Sequence, residues 1–363
     1  MRLFYAWETG YASANHMRKY VRFLLGRALG RGWPLVTWNL ILATWRGRES
    51  ALFALVSLLR LGAPLGAADA ATLAPPAAPV APAAAPVLNE AIPNLPPPPS
   101  ATAEPHVNTA TIPYPQYYDD ALLVGRGNIP TFNRLHAANV ARAKQGGIDL
   151  LFMGDSITQF WASTGRSVWA ANFAPLQAAN FGVSADRTQN VLWRLQNGEG
   201  EGFQPKVVVL MIGTNNLGPE VDNKTPRNSP AEIAAGIAAI LQEFRTRFPT
   251  AKTLLLGILP REAKGDPDRK DLEEVNRDLA QLDDGRHVFF LDLGPRFLNA
   301  DGSIKTALMQ SDFSRQLGNR NLYVHPKAAG YQVWADAIKE PLSNLLAGKD
   351  LYGFPLPDDV KKS

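Results

Sequence analysis

Five short apolar runs separated by helical stretches leave this chain few folds to choose from. The runs are Leu150–Met153, Ala178–Phe181, Val207–Ile212, Thr253–Leu259 and Val288–Leu291. Each has the length of a buried strand and is too short for a core helix. Helical spacing runs through Thr188–Gln196, Pro230–Phe248 and Lys270–Leu282 between them; Asn133–Gln145 comes before the first run and Lys327–Leu346 after the last. Strands alternating with helices predict a parallel sheet covered on both faces. The carboxyl ends of such strands share one rim, so residues just after each strand can converge there.

The first run stops at Gly154 in LLFMGDSITQFW, which puts Asp155 and Ser156 at the rim ahead of a helix. Either residue can simply cap that helix, but a rim serine is also a candidate nucleophile. After the second run comes Gly182, in NFGVSADRT, where a missing side chain lets a backbone N–H approach a ligand; Ser184 or Asp186 can cap the next helix. After the third, MIGTNN brings Thr214, Asn215 and Asn216 to the rim, and an Asn amide is a donor of the kind that stabilises an oxyanion. A serine nucleophile needs a base, and the chain has five histidines. His16 and His106 precede the domain, His136 lies in the helix before the first strand, and His287 opens the fifth strand at the opposite rim. His325 is left, beside Pro326 at the start of the last helix and on the rim side.

The blocks GDSITQFW, NFGVSADRTQNVLWRLQNGE, VVVLMIGTNNLG and VHPKAAGYQVWADAI, in that order, resemble the SGNH or GDSL hydrolases. Within that family they are most similar to the branch of the platelet-activating factor acetylhydrolase subunits and their bacterial relatives. The resemblance implies a flavodoxin-like three-layer α/β/α sandwich around a parallel sheet of about five strands. It further implies Ser156 as nucleophile, His325 as base, and the Ser156 N–H, the Gly182 N–H and the Asn215 side chain as oxyanion donors. An α/β-hydrolase is disfavoured, because Thr158 stands where GxSxG has its second glycine. The chain departs from the family at one point: the acid three residues before the histidine is replaced by Leu322. Asp312, followed by the extra segment Ser314–Val324, is the candidate displaced acid, with Asn321 or a backbone carbonyl as alternatives.

Composition bounds the rest. There is no cysteine, hence no thiol nucleophile or disulfide, and no HExxH, complete Walker loop or GxGxxG; no cofactor or metal is expected. Of the basic residues nine fall in 1–70 against three acidic ones, so the remainder holds 28 basic and 30 acidic residues and no nucleic-acid partner is expected. Residues 1–70 read as a signal peptide or membrane-targeting segment: Arg46 and Arg48 flank the apolar run Ala51–Leu59, GAADA follows, and Met17 is an alternative start. Residues 71–113 read as a Pro/Ala-rich linker, 114–349 as the hydrolase domain and 350–363 as a tail. The expectation is a periplasmic or secreted serine esterase, or alternatively a membrane-anchored one. It would remove a small acyl group, acetyl by preference, from a small ester or acetylated carbohydrate. A polysaccharide acyltransferase using the same serine, and a binding module with a decayed site, are the rivals.

Overall fold

The protein, as a computed structural model, is described over residues 107–116, 128–218, 227–314 and 320–356. All of these fall in one compact unit, Leu95–Ser363. The expected signal or anchor segment and most of the linker lie outside the described residues, and no described helix is long and apolar enough to cross a membrane.

In chain order the elements are α1 (Asn128–Lys144), β1 (Leu150–Gly154), α2 (Ser156–Gln159), α3 (Arg166–Asn172), β2 (Ala178–Gly182), α4 (Thr188–Arg194), β3 (Val207–Met211) and α5 (Pro230–Arg247). There follow β4 (Lys252–Leu256), α6 (Pro267–Leu279), β5 (Val288–Leu291), the two-residue strands β6 (Phe313–Ser314) and β7 (Arg320–Asn321), and α7 (Ala328–Leu346). The first five strands form one parallel sheet in the order β2-β1-β3-β4-β5, the doubly wound arrangement expected of a flavodoxin-like sandwich. The three central strands are buried at every position, whereas the edge strands β2 and β5 alternate between buried and half-buried residues. That contrast follows from the period of two in a strand, since central strands are covered on both faces.

Alternate strand residues feed two hydrophobic layers. Leu151, Met153, Val208, Leu210 and Leu255 join Val191 of α4, Ile233, Ile237, Ile240 and Phe244 of α5, and Leu272 and Val275 of α6. On the other face Phe152 meets Trp161, Trp169 and Phe173 at ring distances of 6.3, 5.0 and 4.9 Å, and Trp161 packs on Tyr331 of α7 at 4.5 Å. The Tyr331 hydroxyl donates to the Ile157 carbonyl (2.6 Å), so α7 is tied to α2 by both packing and a buried hydrogen bond.

Several expected boundaries move. The fourth strand stops at Leu256 rather than Leu259, because Asn276 of α6 accepts from the Ile258 N–H (2.8 Å) and donates to its carbonyl (2.9 Å), which takes Ile258 out of the ladder. Helix α6 starts at Pro267, capped by Asp266, three residues before the expected start. The last helix opens at Ala328 with Lys327 at its cap, so Pro326 lies just outside it. Residues 108–112 belong to the domain rather than to the linker: Ala110 is buried, and its carbonyl accepts from Thr188 Oγ1 (2.8 Å). The start of the expected tail is also part of the fold, with Leu351 and Leu356 buried.

Candidate active site

Ser156 is the first residue of α2, on the rim where β1 ends. A side chain on Gly154 would lie 2.2 Å from the Met211 carbonyl oxygen and 2.4 Å from Thr158 Oγ1, so only glycine lets the strand turn into the helix here. Asp155 caps that helix, as its residue type allows, with Oδ1 accepting from the Ile157 N–H (2.9 Å). Burial pushes the Asp155 carboxyl up to about 6, against the opposing pull of the Ile157 amide and the His325 charge.

The rim brings His325 to Ser156 and Asp312 to His325. His325 Nε2 lies 2.9 Å from Ser156 Oγ, and its Nδ1 lies 2.9 Å from Asp312 Oδ1. Asp312 Oδ2 accepts two backbone bonds, from Val324 (2.8 Å) and His325 (2.9 Å). Burial works to raise the Asp312 pKa, but the His325 ring, its charge and these two amides together hold it below the usual carboxylate range. An ionised Asp312 only accepts, so it draws the ring proton to Nδ1 and leaves Nε2 to accept from the serine hydroxyl.

Asp312 reaches His325 from thirteen residues away for a structural reason. Phe313 pairs with Asn321 and Ser314 with Arg320 in an antiparallel hairpin, so the extra segment leaves and returns at nearly the same place. The Leu322 N–H donates to the Asp312 carbonyl (2.9 Å), and the Leu322 carbonyl accepts from the Glu262 N–H (2.7 Å). Leu322 therefore acts through its backbone, holding the hairpin base against the loop after β4. Asn321, the alternative orienting group, donates to Ser311 Oγ instead of meeting the imidazole.

Gly182, expected to offer its N–H to an oxyanion, does not do so. It lies on the edge strand β2, and its N–H donates to Asn180 Oδ1 (2.9 Å). The glycine serves packing: a side chain there would come 2.2 Å from the Gln159 nitrogen and 2.6 Å from the Thr158 carbonyl carbon of α2. Further along the loop, the Val183 N–H goes to the Gly154 carbonyl (3.1 Å), Ser184 N–H to Gln159 Oε1 (2.6 Å) and Asp186 N–H to the Val183 carbonyl (3.2 Å). Ala185 is left, with no partner for its N–H among the described residues, and it adopts a left-handed φ of 66°. A non-glycine residue held in that conformation beside a site is backbone strain of the sort that accompanies function.

Asn215 lies in the turn after β3, and Nδ2 donates to the Asp186 carbonyl (2.9 Å), which leaves its second amide hydrogen. Arg227 Nη1 donates to the Asn215 carbonyl (2.9 Å) and Arg261 Nη1 to the Thr214 carbonyl (3.2 Å). The neighbouring Asn216 is structural. Its Oδ1 accepts from the Thr188 N–H (3.0 Å) and so caps α4, the task expected of Ser184 or Asp186.

Asp186 is instead committed to a buried ion-pair network that sequence reasoning missed. Arg194 donates from Nε to Asp186 Oδ2 (2.7 Å), from Nη1 to the Phe181 carbonyl (3.0 Å) and from Nη2 to the Gly154 carbonyl (3.4 Å), and it also pairs with Glu199. His136 Nδ1 meets the second oxygen of Glu199 at 2.8 Å. One guanidinium thus ties together the ends of β1 and β2 and, through Asp186, the Asn215 amide. Among the described residues, the carboxylates of Glu262, Asp266 and Asp268 also approach one another, and Arg261 lies against Glu262 and Asp268 at 3.7 and 3.5 Å.

Comparison with known proteins identifies relatives of this chain. The profile of the GDSL-like lipase/acylhydrolase family matches residues 152–333. The platelet-activating factor acetylhydrolase IB subunit alpha1 of Homo sapiens is 35% identical over 223 residues, 61% of this chain and 87% of that protein. The alpha2 subunit of Rattus norvegicus is 42% identical over 157 residues, 43% of this chain and 64% of that protein. A carbohydrate acetylesterase from Sinorhizobium meliloti matches in structure with a TM-score of 0.39 at 16% identity, covering 55% of this chain and 99% of that one. Since the family profile spans half of the sequence and the human subunit is matched over most of its length, the chain belongs to the GDSL-like lipase/acylhydrolase family and is a hydrolase acting on ester bonds.

Proposed function

We propose that the chain is an exported serine esterase that removes an acetyl group from an oxygen ester through an acyl-enzyme. The observation that carries the mechanism is the continuous hydrogen-bonded line from Ser156 Oγ through His325 to Asp312. Ser156 Oγ attacks the ester carbonyl as His325 Nε2 takes its proton. The tetrahedral oxyanion is held by the Ser156 and Ala185 N–H groups and the second Asn215 amide hydrogen. Collapse expels the alcohol, which takes the proton back from His325, and water repeats the sequence on the acyl-serine. The binding-module reading rested on Leu322 alone, and the contact between Asp312 and His325 removes that support.

Acetyl preference is supported by the resemblance to the human acetylhydrolase subunit over most of that protein. Export is supported by the Arg-flanked apolar run and GAADA ahead of the Pro/Ala-rich stretch, which also favours a cell-surface acetylated carbohydrate as substrate. Purified protein is expected to hydrolyse p-nitrophenyl acetate faster than esters of longer acyl chains and to release free acetate. A rate rising with chain length would overturn the acyl assignment, and acetate appearing on a sugar acceptor would mark a transferase. Amino-terminal sequencing of the protein from its native host checks export, with a start near Ala71 expected.

The oxyanion assignment has its own expected outcome. Asn215→Ala should lower kcat by roughly 10² to 10³ with little change in KM, since the bond strengthens only as charge develops. Steady-state kinetics beside a urea melt decide it, and a loss of stability that accounts for the lost activity would make Asn215 a turn residue.

A further inference from the structure

Ser156 and Phe160 stand four residues apart in the single turn of α2 and its continuation, so both side chains lie on one helical face. His325 meets that face twice. Its Nε2 reaches Ser156 Oγ, and its ring lies over the Phe160 ring with centroids 4.9 Å apart and planes tilted by 32°. Trp161, the next residue, is fully buried against Tyr331 and Trp334 of α7, which anchors the turn and fixes where Phe160 points. Phe160 itself is half-buried, so its contact with the imidazole is not forced by the core.

We propose that Phe160 is a positioning residue for His325, its ring face holding the imidazole in line with Ser156 and stabilising it while it carries the serine proton. An aromatic face within about 6 Å of a cation attracts it through the ring quadrupole. The attraction is present for the imidazolium and nearly absent for the neutral ring, so it acts on the transition state more than on the resting enzyme. The other titratable groups bearing on His325 are Asp312 at Nδ1 and the Asp155 carboxyl beside Ser156, which Arg261 also influences; all three stay in place in the variants used as tests.

Phe160→Leu keeps apolar bulk against the imidazole and removes the π face, while Phe160→Tyr keeps both. The inference rests on His325 being the base, so wild type and Ser156→Ala are measured alongside. With p-nitrophenyl acetate, the acid limb of the kcat/KM profile is expected to move to lower pH by roughly 0.4 to 1.5 units in Phe160→Leu. The plateau kcat should fall roughly twofold to tenfold, because the protonated ring has lost a stabilising partner. Phe160→Tyr should leave the limb at the wild-type position. A limb that stays put in Phe160→Leu, whether or not kcat falls, overturns the inference alone. An active Ser156→Ala protein, or a wild type with no acid limb, overturns it together with the assignment of His325.

Discussion

Replacing Asp312 by Asn is expected to lower kcat on the order of 10⁴-fold and leave the protein folded. The size follows from the tautomer. Asp312 Oδ2 accepts from the Val324 and His325 amides while Oδ1 faces His325 Nδ1. In the variant the one amide oxygen is claimed by the two backbone donors, which turns the NH₂ group toward Nδ1. Nδ1 must then accept, the ring proton moves to Nε2, and the nitrogen facing Ser156 can no longer take its proton. Asn321→Ala, which loses only a contact to Ser311, should stay within about tenfold of wild type. A change under about tenfold in Asp312→Asn would dismiss the displaced acid and leave a Ser-His pair.

Ser156→Ala is expected to abolish turnover, with a loss on the order of 10⁴-fold or more. The substitution removes one oxygen and one hydrogen bond, to His325, from a residue only 8% exposed, so stability should change by no more than about 1 kcal/mol. Loss of activity with an unchanged denaturation midpoint places the serine in the chemistry; a fully active variant would move the nucleophile elsewhere.

The sheet and its helices were legible because their signal is local and periodic. Leu150–Met153 and Val207–Ile212 are uninterrupted apolar runs, as central parallel strands must be, and Ser229, Pro230 and Glu232 announce the start of α5 with a capping box that the structure contains. Ser156 and His325 could be read from position and elimination. The contact between Asp312 and His325 could not, because it depends on a hairpin of two-residue strands too short to carry any periodicity. Among the described residues, the loop N–H left without a partner is that of Ala185 rather than Gly182 for a similar reason. Which loop amide stays unspent depends on an edge-strand N–H turned toward Asn180 and on Gln159 reaching Ser184, and neither leaves a mark in the sequence. Arg194 was overlooked because an arginine in VLWRLQNGE reads as the wet side of a helix, and its burial becomes tolerable only once Asp186 and Glu199 arrive from two directions.

These elements serve one geometric end. The strand order puts β1 between β2 and β3, so Ser156, the Ala185 turn and Asn215 come from adjacent strands on the same rim. Helix α7 carries no catalytic group itself, yet Tyr331 locks its first turn to Ile157 and thereby sets His325, just before it, against Ser156.

The most direct test is to quench the protein during reaction with p-nitrophenyl acetate and map the acetylated peptide by mass spectrometry. A burst of p-nitrophenol and an acetyl group on Ser156 are expected, with burst and adduct both absent in Ser156→Ala. Steady turnover with no acyl-protein in wild type, or an adduct on any residue other than Ser156, would contradict the acyl-enzyme mechanism at Ser156.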